Sequence, residues 1–137
     1  MLCGKPPQFK SKLPFEHIPW KPGIEPGVVR TFDIGLLPLP ESDFARGKSP
    51  IKALQYMASG VLTVANPLDA TTELFDQQQG VRFVRNSNEW ERALDSLVAQ
   101  PETLRTEGAA ARKRFEQCYS TQKLGENLAK ILSPRNP

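Results

Sequence analysis

Hydrophobic positions along the chain fall into two patterns: short unbroken apolar runs, and stripes that return every three or four residues. Runs of the first kind suit strands buried on both faces of a parallel sheet, and stripes of the second suit helices laid on that sheet. The clearest run is Phe32-Asp33-Ile34-Gly35-Leu36-Leu37, halted by Pro38 and Pro40, which predicts a buried strand. A second, Val61 to Ala65, ends at the Asn66-Pro67 turn signal. A third, Val81 to Val84, is shorter and more polar and suits a position nearer the edge. An earlier strand is placed around Leu13 to Ile18.

The stripes predict the helices. One runs from Pro50 to Ser59, with Ser49 expected to cap it, Pro50 at its first position, and Gly60 closing it in the left-handed conformation. A second is expected from Ala70 to Gln77. The next begins at a capping box of Asn88 with Glu91 and carries Trp90, Ala93, Leu94, Leu97 and Val98 on one face. Pro101 opens another, with Leu104, Gly108, Ala111 and Phe115 in line, and a last one from Thr121 to Leu132 is expected to bury Leu124, Leu128, Ile131 and Leu132. Stripes of this kind are core-facing scaffold, so no ligand is read into them. The expected organisation is one α/β domain over residues 1–132, a parallel sheet flanked by helices, with a frayed tail at 133–137.

Composition narrows the picture only a little. A chain of 137 residues holds one domain with a real core, and 39% hydrophobic with 24% charged residues are ordinary globular values. The net charge of +3 is spread along the sequence, a weak basis for nucleic-acid binding, and none is expected. No apolar run approaches the ~20 residues of a membrane span, and residues 1–12 lack the apolar core of a secretory signal. Cys3 and Cys118 stand far apart in no metal-like spacing, which predicts reduced thiols in a cytoplasmic protein. His17, the single histidine, has no sequence-placed serine or cysteine to partner it. Asp-x-Asp, C-x-x-C, H-x-x-x-H, G-x-G-x-x-G and Walker patterns are absent, which disfavours metal-dependent transfer, zinc sites, dehydrogenases and P-loop ATPases.

Candidate chemistry lies after Leu37, because ligands of open parallel sheets bind at the carboxyl ends of the strands. The segment from Pro38 to Pro50 leads into a helix start whose free amides, near Ile51 and Lys52, suit an anion. Arg46, Lys48 and Lys52 gather at that end, where the helix dipole disfavours each cation by about 0.3–1 kcal/mol. A bound phosphate removes that cost; plain solvation of the three side chains is the alternative.

Phe32-Asp33-Ile34-Gly35-Leu36-Leu37-Pro38-Leu39, followed by Gly47-Lys48-Ser49-Pro50-Ile51-Lys52-Ala53-Leu54-Gln55-Tyr56-Met57-Ala58-Ser59-Gly60-Val61, resembles the donor-binding signature of family 1 and family 4 glycosyltransferases of the GT-B kind. Thr72-Glu73-Leu74 before Gly80-Val81, Trp90, and Ala110 through Tyr119-Ser120 resemble later elements of the same domain. The resemblance, from Cys3 to Leu132, implies a Rossmann-like C-terminal donor domain of a retaining enzyme that takes a UDP- or GDP-linked sugar without a metal. Its catalytic residues remain unassigned. It implies that Lys48 and the amides around Ser49 to Ile51 face the sugar and diphosphate and that Gln55 meets the ribose; with the charge cluster, the candidate donor-binding residues are Arg46, Gly47, Lys48, Ser49, Pro50, Ile51 and Lys52.

Gln55 stands where the family usually has a glutamate, and Gly47 where it has another. An amide offers one acceptor oxygen where a carboxylate offers two, so ribose contact is expected to be weaker by about 1–2 kcal/mol. Leu62 replaces a usual proline. By the resemblance, an earlier strand, a helix with a basic pair and the N-terminal acceptor-binding domain are expected to lie outside this chain, so that it does not complete transfer alone. Self-association through uncovered apolar surface is also expected. The alternative readings are a degenerate, non-catalytic nucleotide-binding module and an α/β domain used for protein contacts.

Overall fold

The computed structural model describes residues 2–3, 14, 16–75 and 79–133. Three parallel strands form its main sheet: β3 (Ile34–Leu37), β4 (Leu62–Ala65) and β5 (Val81–Phe83), in that spatial order. Ile34 pairs with Leu62 and Leu37 with Ala65, while Thr63 pairs with Val81. All four residues of β4 are buried, as an unbroken apolar run requires of a central strand. The more polar β5 takes one edge, as its composition predicts. The other edge falls to β3, expected to be a buried strand, and its Leu36 is 45% exposed because, among the described residues, no strand pairs with its outer side in this sheet. A separate parallel pair joins β1 (Leu2–Cys3) to β2 (His17–Ile18). The early strand is therefore shorter than expected, and Leu13 lies outside the described residues.

Helices connect and cover these strands: α1 (Glu25–Val29), α2 (Asp43–Arg46), α3 (Ile51–Ser59), α4 (Asp69–Leu74), α5 (Ser87–Val98), α6 (Pro101–Cys118) and α7 (Thr121–Leu132). One core layer joins Ala53 and Met57 of α3 to Ala65, Leu74, Phe75, Val81 and Ala111. The opposite layer joins Leu62, Val64, Val84 and Leu97, with Trp90, Leu94 and Leu104 packed against it. The result is an α/β layer with helices on its faces, the class the alternating pattern predicts.

Two contacts set α3 against the sheet. The Tyr56 ring lies flat on Gly35, where an added Cβ would stand 2.5 Å from ring carbons, and its hydroxyl donates to the Leu36 carbonyl at 3.2 Å. At the other end Gly60, with φ of 71°, closes the helix as expected. Its carbonyl meets Gly108 of α6 so closely that a Cβ there would sit 2.1 Å from the oxygen.

Several expectations are corrected. Pro50, not Ser49, caps α3: its carbonyl accepts from Leu54 at 3.1 Å, so Ser49 lies one residue too early for its hydroxyl to serve the first amides. The α5 capping box is Asn86 with Glu89, where Asn86 accepts from the Glu89 amide at 3.0 Å, in place of Asn88 with Glu91. Helix α4 starts at Asp69 and ends at Leu74, short of Gln77; residues 76–78 lie outside the described residues. Val98 is 71% exposed, because it falls at the end of α5 beyond the sheet's cover. In α7 no residue is buried, and Leu124, Leu128, Ile131 and Leu132 are 55% to 78% exposed. Periodicity marked the apolar face of α7, but among the described residues nothing covers it.

Candidate functional site

The sequence from Leu37 to Ile51 builds the site. Pro38 and Pro40 end β3, and Ser42 then nucleates a helix the sequence reading did not foresee, accepting from the Ala45 amide at 3.1 Å. Helix α2 buries Ala45, turns at Gly47 and delivers the chain to Pro50, where α3 starts. Since the first bond within α3 is Leu54 to Pro50, the amides of Ile51, Lys52 and Ala53 have no acceptor inside the helix.

Ile51 and Lys52, though not the buried Ala53, line a cavity of about 340 Å³ at the carboxyl end of β3. Lys48, Ser49, Pro50, Ile51 and Lys52 line one side, Leu37, Leu39 and Ala45 the floor, and Leu68, Ala70 and Thr71 of the α4 region the facing wall. A larger, neighbouring cavity of about 740 Å³ shares Leu39 and Leu68 with it and extends along the strand ends to Asn66 and Arg85. The structure thus brings together five of the eight residues singled out from sequence. Arg46, Gly47 and Gln55 are not in the lining of the smaller cavity.

The three cations are held differently. Arg46 lies in the last turn of α2, where a helix dipole favours a cation. It pairs with Glu41 and, at 3.8 Å, with Asp69. Lys52 pairs with Glu25 of α1 at 2.6 Å. Among the described residues Lys48 has no carboxylate partner; its Nζ stands 4.6 Å from the centre of the Phe44 ring. The fold thus brings carboxylates close to two of the three cations and, among the described residues, pairs none with Lys48.

Glu25 escaped the sequence reading because it lies 27 residues from Lys52, with no local signal linking them. The hydrogen bond from Lys52 holds the Glu25 carboxyl below the ordinary glutamate range, against the opposing pull of partial burial, with smaller lowering effects from nearby Trp20 and Gln55. Among the described residues the Gln55 Oε1 is buried without a partner. A carboxyl with a lowered folded-state pKa stabilises the fold above its unfolded value and loses that contribution as pH falls through the folded midpoint. The Glu25–Lys52 tie between α1 and α3 is accordingly expected to be intact at neutral pH and lost in acid. In an NMR titration, Lys52→Ala is expected to move the Glu25 midpoint up toward the ordinary value.

A parallel sheet flanked by helices, with a cavity at its carboxyl edge beside the start of α3, defines a Rossmann-like α/β domain. This chain belongs to the glycosyl transferase-like family, whose model matches residues 27–130, from α1 nearly to the end of α7. No curated protein and no solved structure matches it. Membership supports a role in glycosyl transfer, as the resemblance of the β3 and α3 segments implies. Among the described residues no helix is long and apolar enough to cross a membrane.

Proposed function

We propose that the cavity at the start of α3 binds the diphosphate of a UDP- or GDP-linked sugar without a metal ion, and that the chain is the donor-binding half of a retaining, GT-B glycosyltransferase. The observation that carries this reading is that Lys48 lines the same cavity as Ile51 and Lys52, whose amides have no acceptor within α3. Oriented amides and an uncompensated cation suit an anion held at a helix start. In transfer, the bond between the sugar's anomeric carbon and the diphosphate oxygen breaks, and a bond to an acceptor hydroxyl oxygen forms as that hydroxyl loses its proton. The negative charge gathering on the departing diphosphate is what Lys48 and the amides would stabilise.

The neighbouring 740 Å³ cavity gives the sugar room beside the diphosphate. Gln55, one turn along α3, is the proposed ribose contact, its unpartnered Oε1 being the acceptor for a hydroxyl. Because transfer needs donor and acceptor held together, a chain carrying this half alone is proposed to bind donor without turnover. The cytoplasm is proposed as its setting, on the cysteine usage. Calorimetry with UDP and GDP is the test. Binding is expected with one of them, weakened about tenfold by Lys48→Ala, or ~1.4 kcal/mol. Absence of binding by either nucleotide at millimolar concentration, or equal affinity in the variant, would defeat the reading.

The uncovered stripe of α7 is further proposed to drive self-association. Sedimentation is expected to show a concentration-dependent shift that Leu128→Ser combined with Ile131→Ser removes, without loss of folding, since both side chains are exposed.

A further inference from the structure

Lys48 stands on the short link between α2 and α3, its amide donating to the Ala45 carbonyl at 3.2 Å so that it follows Phe44 by one turn, and its side chain is exposed. The structure nonetheless stations Nζ 4.6 Å from the centre of the Phe44 ring. Phe44 is 77% exposed and belongs to none of the core clusters, so packing does not account for a phenylalanine there. Its platform is firm for so short a helix: the Ser42 cap, the buried Ala45 and the Arg46 pair with Glu41 hold α2 in place. The choice of partner also matters. Arg46 and Lys52 are met by carboxylates, which offset their charge, whereas an aromatic face attracts a cation and leaves its charge whole.

We propose that Phe44 is the positioning residue for Lys48, its ring holding the ammonium group at the cavity mouth so that the full charge is available to the donor diphosphate. The inference rests on the reading of that cavity given above. An exposed cation–π contact is worth about 0.5–1 kcal/mol, which converts to roughly two- to fivefold in affinity.

Calorimetry with UDP and GDP on wild type, Phe44→Leu, Phe44→Trp, Lys48→Ala and the double variant Phe44→Leu/Lys48→Ala tests it. Phe44→Leu is expected to weaken nucleotide binding roughly two- to fivefold, with an unchanged melting midpoint because the ring is exposed. Phe44→Trp is expected to bind at least as tightly as wild type, indole being the better cation–π face. In the Lys48→Ala background Phe44→Leu is expected to change nothing further. If it weakens binding there too, the ring contacts the ligand directly and the proposal fails. It fails as well if wild type binds and Phe44→Leu binds equally well, a result that leaves the diphosphate reading standing. A readout without nucleotide separates the two ideas: the Lys48 ε-methylene protons are expected to be shifted upfield by the Phe44 ring and to return in Phe44→Leu. Absence of that shift overturns the positioning role even where nucleotide binds. If neither nucleotide binds wild type, the diphosphate reading falls and takes the proposed purpose of the positioning with it.

Discussion

Replacing Phe75 with alanine is expected to destabilise the fold by about 3–5 kcal/mol, the cost of emptying a fully buried aromatic site. Phe75 has no exposed surface and stands edge-on to Phe83, with ring centres 6.4 Å apart. It packs at the end of α4 in the layer formed with Met57, Leu74 and Ala111. Single domains have only ~5–15 kcal/mol of stability, so this change consumes a large share of it. For a chain of this length it corresponds to a fall of roughly 10–20 °C in melting temperature. The functional consequence runs through α4, whose Ala70 and Thr71 wall the cavity. Calorimetric melting and urea titration measure the loss, and a fall under about 1 kcal/mol would contradict the packing described.

Gly108→Ala is expected to cost about 1–3 kcal/mol or more, the range for forcing a methyl group into a filled space. The new Cβ would lie 2.1 Å from the Gly60 oxygen and 3.0 Å from its carbonyl carbon. Both are backbone atoms at a cap held with φ of 71°, so no side-chain rotation relieves the clash. Relief requires α6 to withdraw from α3, breaking the Arg112 hydrogen bond to the Ala58 carbonyl. An alanine within a helix is ordinarily stabilising by ~1 kcal/mol relative to glycine, so even the sign of the effect tests the contact. A variant as stable as wild type would show that α6 is free to move. Because α3 also frames the cavity, weaker nucleotide binding is expected alongside the loss of stability.

Much of this fold was legible before any coordinates. The 32–37 run, stopped by two prolines, and the run ending at Asn66-Pro67 became β3 and β4, but only β4 is buried throughout, because it lies between two strands while β3 is an edge. Gly60 and Pro101 marked helix boundaries, since glycine tolerates positive φ and proline needs no acceptor at a first helical position. Lys48 to Lys52 were found because they are contiguous and sit at one predicted helix start. The capping errors at Ser49 and Asn88 were each small shifts along the chain, where several adjacent residues have suitable chemistry and only backbone geometry chooses among them.

What the order of residues established is the α/β class, the strands that lie at its centre and the loop where an anion would be sought, all consequences of local periodicity and of proline and glycine stereochemistry. Tertiary structure decided the rest. It brought Glu25 to Lys52, Glu41 and Asp69 to Arg46, and left Lys48 over the ring of Phe44. It also left the α7 stripe uncovered. Partners that are distant along the chain, or missing from a face, follow from how whole layers pack in space, and a one-dimensional pattern of apolar and polar positions carries no distance between them.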